Sequence, residues 1–404
     1  MPPIRDHLTH AGRVQVVTGS GEMTSALRRV RTELIVGLMA ALMSGGCGGG
    51  SGASAPTATQ QCACTFLYAT TDSGRIFEFP VSAPASLVIP GPVAGPAGSA
   101  GIAVVYVPNL PEVAFLYVSD PGANSIRVYS VRSSDGALSP AAIGPYAVGN
   151  ASGTPGAIVA FGTFLYVATS AGDIVAFSIN ADGSLTSIPG SPFAAGGGVS
   201  HLLAKGSASV SNTSFLYAAN TGDSNGSISA FTIATNGSLE PVPGSPFPTV
   251  ANAGPAGFYD GGTFLYVALK NANAVAAFSI GDDGSLTPVA GSPVPAGRGA
   301  FSLGGADGFL YAVNNTDGTF SSYTMDPFTG GLTATAGSPF PGSVASADAL
   351  RFSGTIYVPD AASNRINAFG LDSTGGIQPL NASGFQADTA PIALVTAFFP
   401  GANP

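Results

Sequence analysis

Thr163-Phe164-Leu165-Tyr166-Val167-Ala168 is the stretch whose reading decides the fold, because close copies of it return along most of the chain. Phe-Leu-Tyr stands again at 66–68, 115–117, 215–217, 264–266 and 309–311, and Thr355-Ile356-Tyr357 is a seventh, altered copy. From tyrosine to tyrosine the steps are 49, 49, 51, 49, 45 and 46 residues. Such a period marks a solenoid, a propeller or an array, in which each repeat buries its apolar faces against its neighbours.

Working outward from Tyr166, Gly162–Ala168 reads as one strand and Asp173–Ile179 as a second. Asp182-Gly183 is a tight turn into a third strand beginning near Leu185. The second strands of the other repeats are Ser125–Val131, Ser227–Ile233, Ala274–Ile280, Thr319–Met325 and Arg365–Leu371. Asp-Gly, Asn-Gly or Gly-Gly follows each, as at Asp135-Gly136, Asn236-Gly237 and Asp283-Gly284, and such pairs supply the positive φ that short hairpin turns need. Gly-Ser-Pro-Phe comes next, at Gly190–Phe193, Gly244–Phe247 and Gly337–Phe340, with Val294 in the fifth copy. Proline there is expected to end pairing at a sheet edge. A fourth strand precedes the Phe-Leu-Tyr stretch, as in Gly101–Val105, Ala157–Phe161, His201–Ala204 and Ala300–Leu303.

Four antiparallel strands repeated seven times predict an all-β chain, a seven-bladed β-propeller. The first repeat lacks its fourth strand, whereas Pro391–Phe398 is a spare one after the last turn unit. The C-terminal strand is therefore expected to close the first blade and remove the free edges of the ring.

Composition agrees with many short strands. Only 9% of residues are charged, and 56 Gly and 32 Pro punctuate an apolar content of 45%. The formal net charge is −9, and residues 47–404 hold 8 basic against 19 acidic side chains. So few cations argue against a nucleic-acid partner. Residues 1–46 carry Arg28, Arg29 and Arg31 ahead of the apolar run Leu34–Met43, which is too short to span a bilayer and reads as a secretory signal. Met23 offers a start from which that signal reads normally, leaving residues 1–22 upstream. Residues 47–60 are a Gly/Ser-rich tether and 61–404 the propeller. Cys62 and Cys64 read as thiols, since no metal-ligand spacing surrounds them, and neither a metal nor a cofactor is expected.

Ser44-Gly45-Gly46-Cys47 resembles the end of a bacterial lipoprotein signal, which implies lipidation at Cys47 and an exported, periplasmic or cell-surface protein held to the membrane by that anchor alone; simple secretion is the alternative. The repeat pattern, as in Phe215–Asn220, Ile228–Ile233 and Asn236–Val242, resembles the lactonase-type seven-bladed propellers, which include 6-phosphogluconolactonase-like proteins. That resemblance runs over roughly residues 64–399. Its catalytic branch carries Gly-Pro-Arg-His at the start of an inner strand and Asn-Glu after the Tyr-Val strand. Here the corresponding stretches are Ala296-Gly297-Arg298-Gly299 and Asn314-Asn315, without the His and without the Glu.

His201 is the one histidine beyond the signal region, at the expected start of the fourth blade's inner strand. With Arg298 and Asp348 at comparable positions of the sixth and seventh blades, it forms a candidate catalytic set: a base, an oxyanion partner and an orienting carboxylate. Asp120, Asn220, Asn314 and Asp360, each three residues past a repeat tyrosine, are candidate ligand-binding residues ringing one channel mouth. Gly222-Asp223-Ser224-Asn225-Gly226 matches a nucleophile pattern but falls in a hairpin, where no strand-to-helix elbow forms. Two readings follow. The first is a monomeric propeller that binds a small polar or sugar-like ligand, or a surface partner, in its channel; the alternative is an extracytoplasmic lactone hydrolase.

Overall fold

Each Phe-Leu-Tyr stretch is the second strand of a blade and sits where the repeat predicts it. In the fourth blade the order is Val199–Gly206, Ser214–Asn220, Ser227–Ile233 and Leu239–Pro241 from the axis outward, all antiparallel. In this computed structural model the described residues are 64–82, 91–107, 110–148, 153–206, 213–222, 226–250, 253–342, 350–352, 354–380 and 384–399. They lie in one compact unit, Thr57–Pro404, and form seven sheets without a helix among them. The signal and tether regions, with Cys47 and Cys62, fall outside the described residues, as do Asp348 and 223–225.

Ring closure is as the spare strand implies. Pro391–Phe399 pairs antiparallel with Cys64–Thr71 as the inner strand of the first blade. Leu394, Ala397 and Phe399 are buried there, and the Phe398 amide donates to the Tyr106 hydroxyl on the neighbouring blade's inner strand. Arg75 forms an ion pair with Asp388, and Ser73 bonds Thr389, so the two ends of the propeller are tied again at the loop level.

Apolar faces meet between blades. Tyr217, Ala219, Ile228 and Ala230 of the fourth blade pack on Leu265, Val267 and Ala276 of the fifth. The repeat tyrosines cross these seams: Tyr68, Tyr117, Tyr166 and Tyr217 donate their hydroxyls to the carbonyls of Gly136, Gly183, Gly237 and Gly284, each in the next blade's turn. The phenylalanine two residues earlier lies flat on the same glycine. A Cβ on Gly183, whose φ is +80°, would stand 2.6 Å from the Phe115 ring. Glycine is thus required twice, by its φ and by the ring above it.

Gly-Ser-Pro-Phe does not end pairing. After Pro192 the chain pairs again, Phe193–Ala194 with Asp173–Ile174, so the outer strand is split into two short pieces. The serine fills the gap between them: Ser191, Ser245, Ser292 and Ser338 hydroxyls accept the amides of Ala176, Ala230, Ala277 and Ser322 at 2.7 to 3.0 Å. Without that oxygen a mid-strand amide would face the gap unpaired.

Candidate functional site

The inner strands enclose a channel, and near its beginning several of them slip register. Val199 pairs with Asn220 but His201 with Ala219, leaving Ser200 unpaired in the ladder. The same slip leaves out Ala256, Phe301 and Ile392 in the fifth, sixth and first blades. A bulge bends the strand and re-aims its side chains. The bulged stretches meet in a cavity of about 120 Å³ lined by Ser200, His201, Gly257, Phe301, Ser302 and Ile392, among others. Neighbouring strands come close enough to enclose it because glycine stands at the contacts. A Cβ on Gly101 would be 1.9 Å from the Gly156 carbonyl oxygen, and one on Gly257 would be 2.5 Å from that of Phe301.

His201 faces this cavity. Its ring meets Phe258 edge to face at 5.8 Å, and among the described residues no hydrogen-bond partner lies on it. The ring is half-buried by accessible surface, but protein surrounds it at channel depth, and this desolvation lowers its pKa to about 4. At neutral pH it is uncharged, with one N–H to donate and one lone pair to accept. The adjacent Ser200 hydroxyl is directed at the Pro255 and Ala219 carbonyls, at 3.0 and 3.3 Å. Phe301, another residue of the lining, carries the exposed Lys270 ammonium 5.2 Å from its ring centroid. At the other end of the fourth blade's inner strand, Lys205 is buried and bonded to Asp260 at 2.6 Å, tying that strand to the fifth blade.

Of the described members of the candidate catalytic set, His201 and Arg298, it is His201 that reaches the cavity lining. Arg298 lies in the exposed loop before the sixth blade's inner strand, outside the lining; its amide donates to Asp317 Oδ2 at 2.6 Å and its carbonyl accepts from the Thr316 amide. Asp348 falls outside the described residues. Asp120, Asn220, Asn314 and Asp360 share the end of the propeller where His201 sits, but all four are buried and bonded within their own blades. Asp120 accepts from the Ala123 amide and from Arg127 Nε, and Asp360 from Ser363 and Asn367. Asn220 donates to Ser227 and Ser229, and Asn314 to Thr319 and Ser321. These contacts hold hairpin turns together. The Oδ1 atoms of Asn220 and Asn314 remain buried without a partner among the described residues.

Sequence reasoning passed over Ser200, Phe301 and Lys270. The repeat tyrosine is a poor ruler for the inner strand, because the loop between the two varies: residues 207–213 intervene in the fourth blade and only 307–308 in the sixth. A scan for aromatic or hydroxyl residues just inside each inner strand would have found Phe301 and Ser302. Among the described residues no group of three His, Cys, Asp or Glu is placed to hold a metal ion.

The seven antiparallel sheets define a seven-bladed β-propeller. Residues 257–345, spanning parts of the fifth and sixth blades, match the family model described as lactonase, 7-bladed beta-propeller. Among solved structures, it is similar to a provisional 6-phosphogluconolactonase from Bacteroides fragilis, with TM-score 0.63 and 19% identity over 85% of this chain and 99% of that one. A periplasmic gluconolactonase from Pseudomonas aeruginosa gives TM-score 0.63 and 18% identity over 83% of this chain and 100% of that one. A Lactobacillus plantarum protein gives 0.62 and 15% over 84% and 100%. At these identities the likeness is one of fold. No curated protein matches the chain.

Proposed function

We propose that the chain is a channel-binding propeller that takes a small polar or sugar-like ligand against His201. The observation that carries this reading is an uncharged imidazole facing a partly open cavity, with no carboxylate or guanidinium beside it among the described residues. Such a ring recognises hydroxyl and carbonyl groups by donating and accepting, and Phe301 offers an apolar face for a sugar ring. General-base catalysis fits less well, because a base with a pKa of about 4 is weak and has no orienting acid among the described residues.

Lactone hydrolysis is the second reading, favoured by the family match and by the names of the similar structures. One pair of measurements separates the two: calorimetric binding and pH-stat turnover of the full chain against sugar and aromatic lactones and their hydrolysed acids. Saturable binding without turnover supports the binding reading. Turnover that falls at least about 100-fold in His201→Ala supports the hydrolase. Absence of both sinks the assignment of the channel.

Export and lipid anchoring at Cys47 belong to the same proposal, supported by the basic-apolar-small order of residues 28–47. The similarity to a periplasmic protein is compatible with it. Cys47→Ser should move the protein from the membrane to the soluble exported fraction, and unchanged partition would contradict the anchor.

A further inference from the structure

Opposite each repeat tyrosine, on the third strand of the blade, the ladder places a small or apolar residue: Val128, Ala176, Ala230, Ala277, Ser322 and Ala368. In the first blade that position is Glu78, paired with Tyr68. Its side chain points into the seam with the second blade, where residue 78 is 8% exposed and Oε1 is buried with no hydrogen-bond partner among the described residues. A Cβ on Gly136 would stand 2.6 Å from that oxygen, so the carboxyl abuts the turn that accepts the Tyr68 hydroxyl. The other six blades are built without an acid here, and the fold does not need one.

The groups facing Glu78 decide what its proton does. On its own sheet is Tyr68, whose phenol burial holds well above the ordinary range, so it stays neutral. On the opposing turn are Asp135 and Arg132, and these are bonded to each other, Arg132 Nε to Asp135 Oδ1 at 2.6 Å. Tyr106, on the second blade's inner strand, has its hydroxyl bound to the Phe398 amide. The one cation in reach among the described residues is therefore already engaged by the carboxylate beside it. A negative charge on Glu78 would be desolvated and repelled by Asp135.

We propose that Glu78 makes the seam between the first and second blades a proton-dependent joint: the neutral carboxyl lets the ring close, and loss of its proton loosens the blade in which the two ends of the propeller meet. Desolvation first, and the Asp135 charge second, raise its pKa to about 8, with Arg132 opposing. The unfolded carboxyl titrates near 4.5. The contribution to stability is thus full below pH 4.5 and is lost as pH rises through about 8.

The test is thermal unfolding of the full chain between pH 6 and 9.5, with amide exchange of residues 133–137 corrected for intrinsic rate. Wild type should lose at least about 3 °C over pH 6 to 9.5, with faster exchange in that turn, whereas Glu78→Gln should lose less than about 1 °C. Asp135→Asn, which removes the repulsion and frees Arg132, should show a smaller loss than wild type and serves if Glu78→Gln does not fold. A Glu78→Gln profile parallel to wild type, or exchange that does not quicken at 133–137, overturns the proposal.

Discussion

The Tyr117 hydroxyl donates to the Gly183 carbonyl in the next blade at 2.8 Å, while Phe115 lies on the face of the same glycine. One turn residue thus receives both the polar and the apolar end of a repeat motif. Tyr117→Phe should cost about 1–3 kcal/mol in urea unfolding, since a buried carbonyl loses its donor. Gly183→Ala should cost more, because its φ of +80° and the ring 2.6 Å from the added Cβ both oppose it. Equal stability of the two variants would contradict this double role.

Removing residues 391–404 takes away the strand that pairs with Cys64–Thr71 and uncovers Phe66 and Tyr68. Loss of buried Leu394 and Phe399 alone amounts to about 3–6 kcal/mol of apolar burial, before the lost ladder is counted. The truncated chain should melt far below wild type or aggregate through the exposed edge. A wild-type melting temperature would show that the ring does not depend on this strand.

The blades were legible in the sequence because Phe-Leu-Tyr, the Gly turns and Gly-Ser-Pro-Phe do structural work that recurs at a fixed period. The strands that follow the Phe-Leu-Tyr stretches fell within a residue of their observed limits; Ser227–Ile233 and Ala274–Ile280 coincide with them. The site was less legible. Bulges at Ser200 and Phe301 depend on contacts between inner strands, and no local propensity marks them. The proline of Gly-Ser-Pro-Phe was expected to end pairing, and the role of the serine before it becomes visible only when the amide of Ala176 is seen across the gap.

Acid should act through His201. Its folded pKa of about 4 lies below the model-compound value of 6.5, so between these values the unfolded chain binds the proton and the folded one does not. Stability is therefore expected to fall as pH drops from 6.5 to 4, by at most about 3 kcal/mol, with hydration from the channel reducing that figure. His201→Asn should lose less over the same range, measured by urea unfolding at each pH. A steeper acid loss in the variant than in wild type would contradict the burial assigned to this ring.

The central claim is that ligand meets the channel at His201. The chain has three histidines, and with His7→Gln and His10→Gln the remaining imidazole is His201. Its ring resonances in a two-dimensional carbon–proton NMR spectrum then report the channel directly. Titration with a sugar lactone or sugar acid that calorimetry shows to bind should shift those resonances with the same saturation, and binding that leaves them unmoved would place the ligand elsewhere.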